Sequence, residues 1–382
     1  MIYLDNAATT HPKPPAVYER VQHALAKVGA SPGRGAYRLA REASSIVTQA
    51  RATVASLFNI RDPNQVIFTA NATESINVVL KGWLRPGDRV LISAMEHNAV
   101  LRPLRSLART GVQVEVVRCG TRGELDLEQL RSLLHPPPRL VVLVHASNVN
   151  GALQPIAEVA RMCLEQHVPL FLDAAQTAGI QPIDVEAWQL GMLACSGHKG
   201  LFGPPGVGVL YIRPDLDVAP LLEGGTGSRS EEENQPDFRP DRYECGTLNL
   251  PGIAGLAAGV EFIEKVGLDA IRNHELELAK RIETGLEALP GVRILRPDER
   301  GTGVVSFIVA DLHAGDLGHL LDAGFDIAVR TGLHCAPLAH KTLGTFPEGT
   351  VRVSPGFFTA TEDIEAFLDA LGALLSRRHP RH

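Results

Sequence analysis

Short runs of β-branched and aliphatic residues alternate with helix-length amphipathic segments from about residue 43 to residue 215. The predicted strands cover 66–70, 89–93, 112–118, 139–145, 168–172, 191–195 and 207–212. The predicted helices between them include 43–58, 98–110, 126–134 and 155–166. Several strand segments are apolar at every position, which is typical of strands buried on both faces. The alternation therefore predicts an α/β fold with helices on both faces of a mostly parallel sheet.

The length of 382 residues predicts a second lobe, because one hydrophobic core rarely grows beyond about 250–300 residues. A stretch rich in Gly, Ser and Glu at 224–242 indicates an exposed loop. A long helical region at about 252–289 follows this loop. Strands near 303–310 and 350–354 and a closing helix near 361–375 then predict a smaller lobe.

Charge and cysteine content exclude several classes of protein. With 37 basic and 43 acidic residues, the formal net charge is −6, so we expect no general attraction to nucleic acid or an anionic membrane. The apolar runs are far shorter than the ~20 residues of a membrane span, and the first residues do not resemble a signal peptide. The five cysteines include no C-x-x-C pair, which argues against a disulfide framework or a zinc site and predicts a reducing, cytoplasmic location.

Polar residues follow five of the predicted strands at the point where each strand ends. They are Asn71 and Thr73, Glu96 and His97, Asn148, Asp173 and Gln176, and Ser196, His198 and Lys199. Ligands of parallel α/β sheets bind beyond the carboxyl ends of the strands, so these residues are expected to converge on one crevice. Taken singly, each has a simpler explanation: Asn71, Thr73 or Asp173 could cap a helix, and His97 could lie on the surface.

Lys199 stands among serine, glycine and histidine in the segment 196–200, an unusual setting for a surface lysine. The amine of a desolvated lysine loses its proton more readily and can form a Schiff base. Backbone amides at a helix start near 70–75 suit a phosphate group, and a carboxylate such as Asp173 is the partner that a pyridinium nitrogen requires. Together these features predict a site for pyridoxal 5'-phosphate (PLP).

Ordered motifs along the chain resemble the class V aminotransferase family. They are the segments 3–9 (YLDNAAT), 95–98 (MEHN), 173–176 (DAAQ) and 196–199 (SGHK). The segment 330–336 (RTGLHCA) resembles the active-site segment of type II cysteine desulfurases and selenocysteine lyases. The resemblance runs from about residue 2 to residue 376, and it implies a PLP-dependent transferase of fold type I with a smaller α+β C-terminal domain.

The same resemblance implies a division of the chain. Residues 1–15 form an N-terminal segment packing with the small domain, 16–260 the large PLP-binding domain, 261–376 the small domain, and 377–382 a flexible tail.

The resemblance also implies roles around the cofactor. Lys199 attaches PLP covalently and acts on the substrate as a base, Asp173 pairs with the pyridine nitrogen, and His97 stacks on the ring as a further catalytic residue. The remaining cofactor contacts fall on Ala72, Thr73, Asn148, Gln176, Ser196, His198 and Thr247. Of these, Gln176 contacts the phenolic oxygen, and Thr247 reaches the cofactor of the other subunit, which implies a homodimer.

On the substrate side, the resemblance assigns the substrate carboxylate to Arg352, assisted by Arg330, and places Asn148 nearby. Cys335 is the implied nucleophile, with its thiolate favoured by Arg330 and His334. The reaction implied is conversion of L-cysteine to L-alanine with a persulfide on Cys335, which a sulfur-acceptor protein then receives.

Four cysteines lack such a chemical setting. Cys119, Cys163 and Cys195 are predicted to be small core residues, and packing is also favoured for Cys245. Two features depart from the familiar type II pattern: Leu333 stands where His is frequent, and the segment 336–349 is longer. These departures concern the sulfur acceptor and not the cofactor residues.

Three alternatives stay open at this point. A selenocysteine lyase, which would convert L-selenocysteine to L-alanine, uses the same constellation of residues. A class V transaminase or lyase would make no use of Cys335. A non-catalytic scaffold on this fold is disfavoured, because both Lys199 and Asp173 are present.

Overall fold

The computed structural model describes residues 1–33 and 35–378 as thirteen strands and eleven α-helices. The strands are β1 (Ile2–Tyr3), β2 (Val66–Thr69), β3 (Arg89–Ser93), β4 (Gln113–Val117), β5 (Leu140–Val144), β6 (Leu170–Asp173), β7 (Met192–Ser196), β8 (Gly208–Ile212), β9 (Val292–Ile294), β10 (Val305–Val309), β11 (Ile327–Ala328), β12 (Arg330–Gly332) and β13 (Thr350–Val353). The helices are α1 (Pro15–His23), α2 (Arg38–Leu57), α3 (Ala72–Trp83), α4 (Asn98–Ala108), α5 (Leu127–Leu133), α6 (Ile156–Glu165), α7 (Leu250–Val266), α8 (Leu268–Glu287), α9 (Ala314–Phe325), α10 (Pro337–Thr342) and α11 (Thr361–Arg378).

Seven strands form the central sheet in the order β2-β8-β7-β6-β5-β3-β4. The pairs β3–β4, β3–β5, β5–β6 and β6–β7 are parallel. Only β8, among the strands of this sheet, runs antiparallel to its neighbours β2 and β7. The predicted mostly parallel sheet is therefore confirmed.

The central strands are buried on both faces, as their apolar sequences predict. All five residues of β5 are buried, and the first four alternate between two apolar layers. Val141 and Leu143 join the layer that includes α2, α6 and α7. Leu140 and Val142 join the layer that includes α3 and α4. Because neighbouring strand residues point to opposite faces, one short strand contributes to both cores.

A second, antiparallel sheet has the order β12-β13-β10-β9, and it packs with α8, α9 and α11 around its own apolar core. The N-terminal strand β1 pairs in parallel with β11. Residues from the start of the chain thus contact elements more than 300 positions later, and Leu4 is fully buried in this second core.

The helical region predicted at 252–289 is helical over most of its length. It consists of α7 and α8, separated by Gly267. Gly267 has a φ of 91°, a backbone conformation that residues with a side chain rarely adopt. The glycine therefore ends α7 and lets α8 begin in a new direction.

Residues 213–249 contain neither helix nor strand, and most of 222–235 is exposed, in agreement with the predicted loop at 224–242. Within the described part of the chain, no helix is long and apolar enough to cross a membrane. Of the predicted tail at 377–382, residues 379–382 lie outside the described residues, and the final helix continues to Arg378.

Candidate active site

Three adjacent parallel strands deliver the central residues of the candidate site. β6 ends at Asp173, β7 ends at Ser196, and Asn148 follows β5 within a buried loop. Lys199 lies three residues beyond the end of β7. The strand order β7-β6-β5 places these three ends side by side at one edge of the sheet.

The amine of Lys199 lies in a desolvated, positively charged setting. Burial lowers its pKa to about 8, the positive charges of Arg352 and Arg330 act in the same direction, and Asp173 opposes them. A lysine with this pKa is partly neutral near physiological pH, and a neutral amine is the nucleophilic form.

The carboxyl group of Asp173 is buried, with 2% exposure. Its Oδ1 accepts a hydrogen bond of 2.9 Å from the backbone N–H of Ala175. Burial raises its pKa, and the nearby Lys199 charge acts in the opposite direction. A buried carboxyl in this position suits a cationic nitrogen held against it, because pairing removes the cost of the isolated charge.

His97 caps the N-terminus of α4: its Nδ1 accepts a 3.0 Å hydrogen bond from the backbone N–H of Ala99. Burial lowers the pKa of His97 to about 4, assisted by the charges of Lys199, Arg330, Arg102 and Arg352. The ring is therefore neutral, and its tautomer carries the proton on Nε2. A neutral imidazole fixed by its own helix can lie flat against an aromatic ring.

The start of α3 forms one wall of the predicted phosphate site. Asn71 caps this helix by accepting from the backbone N–H of Glu74 (3.0 Å), so the simpler explanation holds for Asn71. The backbone N–H of Ala72 points to the Ser196 hydroxyl at 3.3 Å, which joins α3 to the end of β7. Thr73, in the first turn of α3, is exposed.

Several buried polar atoms around this crevice have no hydrogen-bond partner among the described residues. They include His198 Nδ1, Asn148 Oδ1 and Arg352 Nε. Such atoms are costly in a closed protein unless a ligand or water satisfies them. Together with the helix N-terminus, the low-pKa amine and the buried carboxyl, they fit PLP.

Arg352 is fully buried, and its guanidinium is fixed from two sides. It donates to Asp5 Oδ1 at 2.7 Å and to the backbone oxygen of Asn148 at 3.0 Å. Arg330 lies directly opposite Arg352 in the pairing of β12 with β13. The Asn148 amide donates to the His334 carbonyl at 2.7 Å. Two arginines and one amide thus lie together where the sequence places the substrate carboxylate.

Gln176 is buried and donates from its side-chain amide to the backbone oxygen of Ala7 at 3.1 Å. This contact joins the loop after β6 to the N-terminal segment. It fixes the side chain that the resemblance assigns to the phenolic oxygen of the cofactor.

Cys335 is exposed, and its carbonyl oxygen accepts a 2.7 Å hydrogen bond from the backbone N–H of Asn98. Its charge also acts on the pKa of Lys199. The prediction that a charge on His334 favours the Cys335 thiolate is wrong. Burial lowers the pKa of His334 to about 2, so this side chain is neutral, and its Nε2 pairs with Thr350 Oγ1 at 2.8 Å.

Cys119, Cys163 and Cys195 pack in apolar clusters, as predicted. Burial raises the pKa of Cys119 and Cys163 to about 12 and that of Cys195 further. Thiols with such pKa values are poor nucleophiles at neutral pH. Cys245 is half-buried.

Thr247 is exposed on the irregular segment that precedes α7. This segment is anchored at Glu244, whose buried carboxylate pairs with both terminal nitrogens of Arg51 at 2.7 and 2.8 Å. The contact of Thr247 with a second subunit stays a prediction.

Functional contacts of the N-terminal segment were missed from the sequence. Asp5 pairs with Arg352, and Thr10 and Lys13 contact the backbone of His198 and Lys199. The resemblance implied that residues 1–15 pack with the small domain, but it indicated neither the partner of Asp5 nor the contacts of Thr10 and Lys13. Over residues 1–33 and 35–378, no group of three or more His, Cys, Asp or Glu side chains is arranged to hold a metal ion.

The chain is similar to known proteins over nearly its whole length. The sequence profile of the class-V aminotransferases matches residues 2–367. A probable cysteine desulfurase from Pyrococcus abyssi is 36% identical over 391 aligned residues, covering 98% of this chain and 94% of that protein. A cysteine desulfurase from Cronobacter sakazakii is 36% identical, covering 97% and 92%. The solved apo structure of a cysteine desulfurase from Thermococcus onnurineus superposes with a TM-score of 0.91 at 34% identity, covering 98% and 94% of the two chains.

Proposed function

Because the chain belongs to the class V aminotransferase family, we propose that it is a PLP-dependent cysteine desulfurase, which converts L-cysteine to L-alanine and leaves a persulfide on Cys335. One observation carries this assignment. The exposed Cys335 is joined through Asn98 to the helix start that holds His97, in the crevice of Lys199 and Arg352.

The residues that would hold PLP are those of the cofactor crevice. Lys199 attaches it, Asp173 faces its ring nitrogen, and His97 covers its ring. Ala72, Thr73, Ser196 and His198 bind its phosphate, while Gln176 contacts its phenolic oxygen. Bound there, PLP supplies an electron sink that makes the Cα proton of an amino acid acidic.

Arg352 and Asn148 orient the amino acid. The fixed guanidinium of Arg352 binds the carboxylate through charge-assisted hydrogen bonds, and Arg330 adds a second positive charge. Fixing the carboxylate selects one direction for the Cα–H bond. The amine of Lys199, with its pKa near 8, can then accept the Cα proton and return it.

The sulfur step belongs to Cys335. Its thiolate attacks the substrate sulfur, an S–S bond forms, and the bond between the substrate Cβ and sulfur breaks. The electron pair of that bond stays with the carbon, which takes up a proton and becomes the methyl group of alanine. The products are L-alanine and the Cys335 persulfide, so atoms and electrons balance without an external oxidant.

Several finer features accompany this proposal. Two subunits would pair so that Thr247 completes the other cofactor site, and a sulfur-acceptor protein would receive the persulfide sulfur. The large PLP-binding domain spans 16–260 and the small domain 261–376. A reducing, cytoplasmic location suits this chemistry, because Cys335 has to return to a free thiol after each turnover.

The test is to incubate PLP-loaded protein with L-cysteine and a thiol reductant, and to quantify alanine and sulfide. Lys199→Ala serves as the control without cofactor attachment. Alanine formation no faster than in this control rejects the assignment. A parallel series with L-selenocysteine compares kcat/KM for the two substrates, and a large preference for selenium would favour a selenocysteine lyase.

A further inference from the structure

The two peptide groups that flank Lys199 are held by the N-terminal segment of the chain. The carbonyl oxygen of His198, directly before Lys199, accepts from Lys13 Nζ at 2.6 Å. It also receives the backbone N–H of Thr10 and the hydroxyl of Thr9, both at 3.1 Å. A carbonyl oxygen has two lone pairs, so these three donors leave no acceptor site for the Thr10 hydroxyl, which lies 3.3 Å away.

The carbonyl oxygen of Lys199 itself accepts from the backbone N–H of Phe202 at 2.8 Å, and it is also reached by the N-terminal segment. Lys13 Nζ donates to Thr10 Oγ1 at 2.6 Å. The Thr10 hydroxyl, with its oxygen occupied by that ammonium, has its own proton available for the Lys199 carbonyl at 3.1 Å. Lys13 therefore acts on both peptide planes beside the Cα of Lys199, directly on one and through Thr10 on the other.

The setting of Lys13 is unusual for a lysine. It is half-buried, burial lowers its pKa to about 8, and no carboxylate lies within ion-pair distance of it among the described residues. Its ammonium binds a backbone oxygen and a hydroxyl instead. Even partial burial of a charge without an acid partner is costly, so a purely solvent-exposed role does not explain its position.

From these contacts we infer that Lys13 is a positioning residue for Lys199: its ammonium fixes the flanking peptides and thereby the direction from which the Lys199 amine meets the PLP aldehyde. The Lys199 amine makes no hydrogen bond to another described residue, so its direction depends on the position of its backbone and on the desolvated surroundings of its side chain. Charge-assisted hydrogen bonds are short and directional, and a misplaced reacting group loses rate steeply. This inference rests on the proposed attachment of PLP to Lys199.

The test measures how fast the cofactor-free protein captures PLP, followed by the visible absorbance of the Lys199–PLP linkage after rapid mixing. Lys13→Met keeps the aliphatic stem and removes the charge and donors. We expect its capture rate to fall by about tenfold to a hundredfold, the usual effect of losing a charged hydrogen bond. Lys13→Arg keeps charge and donors and should capture PLP faster than Lys13→Met.

The matched control is Lys27→Met, the same chemical change at an exposed lysine in the neighbouring segment 24–28. Thermal unfolding of each cofactor-free variant separates positioning from folding. If Lys13→Met melts well below the control, the comparison moves to Lys13→Gln, which retains N–H donors without the charge.

Slowed capture by a folded Lys13 variant supports the inference, and capture at the rate of Lys27→Met overturns it. The readout needs no L-cysteine turnover. A wild-type protein that captures no PLP rejects the proposed function itself, whereas equal capture by wild type and Lys13→Met rejects only the role of Lys13.

Discussion

The backbone N–H of Asn98 donates a 2.7 Å hydrogen bond to the carbonyl oxygen of Cys335. This contact joins a loop of the second sheet to the first turn of α4, directly after His97. Cys335 itself has a φ of 58°, and His334 before it has a φ of 47°. Two consecutive residues with side chains in the left-handed region make this loop a specific structure rather than a loose connection. The thiol is therefore presented to the crevice by backbone geometry.

Replacing this thiol tests the sulfur step. In Cys335→Ala, we expect alanine formation from L-cysteine to fall about a thousandfold or more, because the nucleophile is absent. PLP binding, measured by absorbance, should be unchanged, since Cys335 holds no part of the cofactor. The control is Cys245→Ala, which removes the half-buried thiol that we assign to packing and should keep its turnover. Normal alanine formation by Cys335→Ala would show that this enzyme removes the substrate sulfur as a lyase, without the thiol.

Arg352 offers a test of carboxylate recognition. Lysine at this position keeps the charge but loses the planar pair of donors, and it cannot contact both Asp5 and the Asn148 carbonyl as the guanidinium does. We expect Arg352→Lys to raise KM for L-cysteine about tenfold to a hundredfold. Steady-state kinetics check this, with Arg293→Lys, an exposed site on β9, as the control. An unchanged KM would mean that Arg352 binds Asp5 but does not bind the substrate carboxylate.

The elements that can be predicted from sequence are those with local signals. Five consecutive aliphatic residues indicate β5, and the cap Asn71 indicates the start of α3. The parallel order of the strands then predicts that Asp173 and Lys199 lie at one sheet edge. The prediction of a helical region at 252–289 did not locate the break at Gly267, because residues on both sides of it have helix-forming sequences.

Contacts between distant parts of the chain produce no local pattern in the sequence. Lys13 reaches a backbone oxygen 185 residues away, and Asp5 reaches Arg352 across 347 residues. The neutrality of His334 was also unpredictable, since it arises from burial among Arg352, His340 and Arg330. Each of these depends on contacts made only in the folded chain, which periodicity cannot report.

The ion pair between Arg51 and Glu244 should contribute strongly to stability. Both side chains are almost fully buried, and the Glu244 carboxylate also accepts from the backbone N–H of Phe68 at 2.6 Å. Glu244→Gln leaves the Arg51 charge uncompensated in the interior, and we expect a loss of about 3–5 kcal/mol in the free energy of unfolding. Urea denaturation measures it.

The matched control for this pair is Glu186→Gln. Glu186 pairs with Arg61 at 3.1 Å, but the Arg61 side chain is 85% exposed, so a change of less than about 1 kcal/mol is expected. Equal effects of the two substitutions would show that the Arg51 pair is solvated and contributes little.

Replacing Glu275 on α8 should have the opposite effect. We expect that removal of its carboxyl group stabilises the protein. It is buried, it has no side-chain hydrogen bond or ion pair to another described residue, and burial raises its pKa from 4.5 to about 8. Between these two pH values the folded chain holds a proton that the unfolded chain releases. Below pH 4.5 this carboxyl is protonated in both states and does not reduce the free energy of unfolding. As the pH rises from there to about 8, the free energy of unfolding falls.

Glutamine at this position is neutral at every pH, so Glu275→Gln should match the wild type near pH 4.5 and exceed it at pH 8. A tenfold difference between the proton affinities of the folded and unfolded states corresponds to about 1.4 kcal/mol, so we expect a gain of about 2–4 kcal/mol at pH 8 after local relaxation. Urea unfolding of the cofactor-free protein at pH 5 and pH 8 measures the difference. Glu277→Gln is the control on the same helix, because Glu277 is exposed and pairs with Arg281 at 2.8 Å, and it should bring no gain at pH 8. If Glu275→Gln is less stable than wild type at both pH values, the carboxylate of Glu275 has a favourable partner in solution and is ionised in the folded protein.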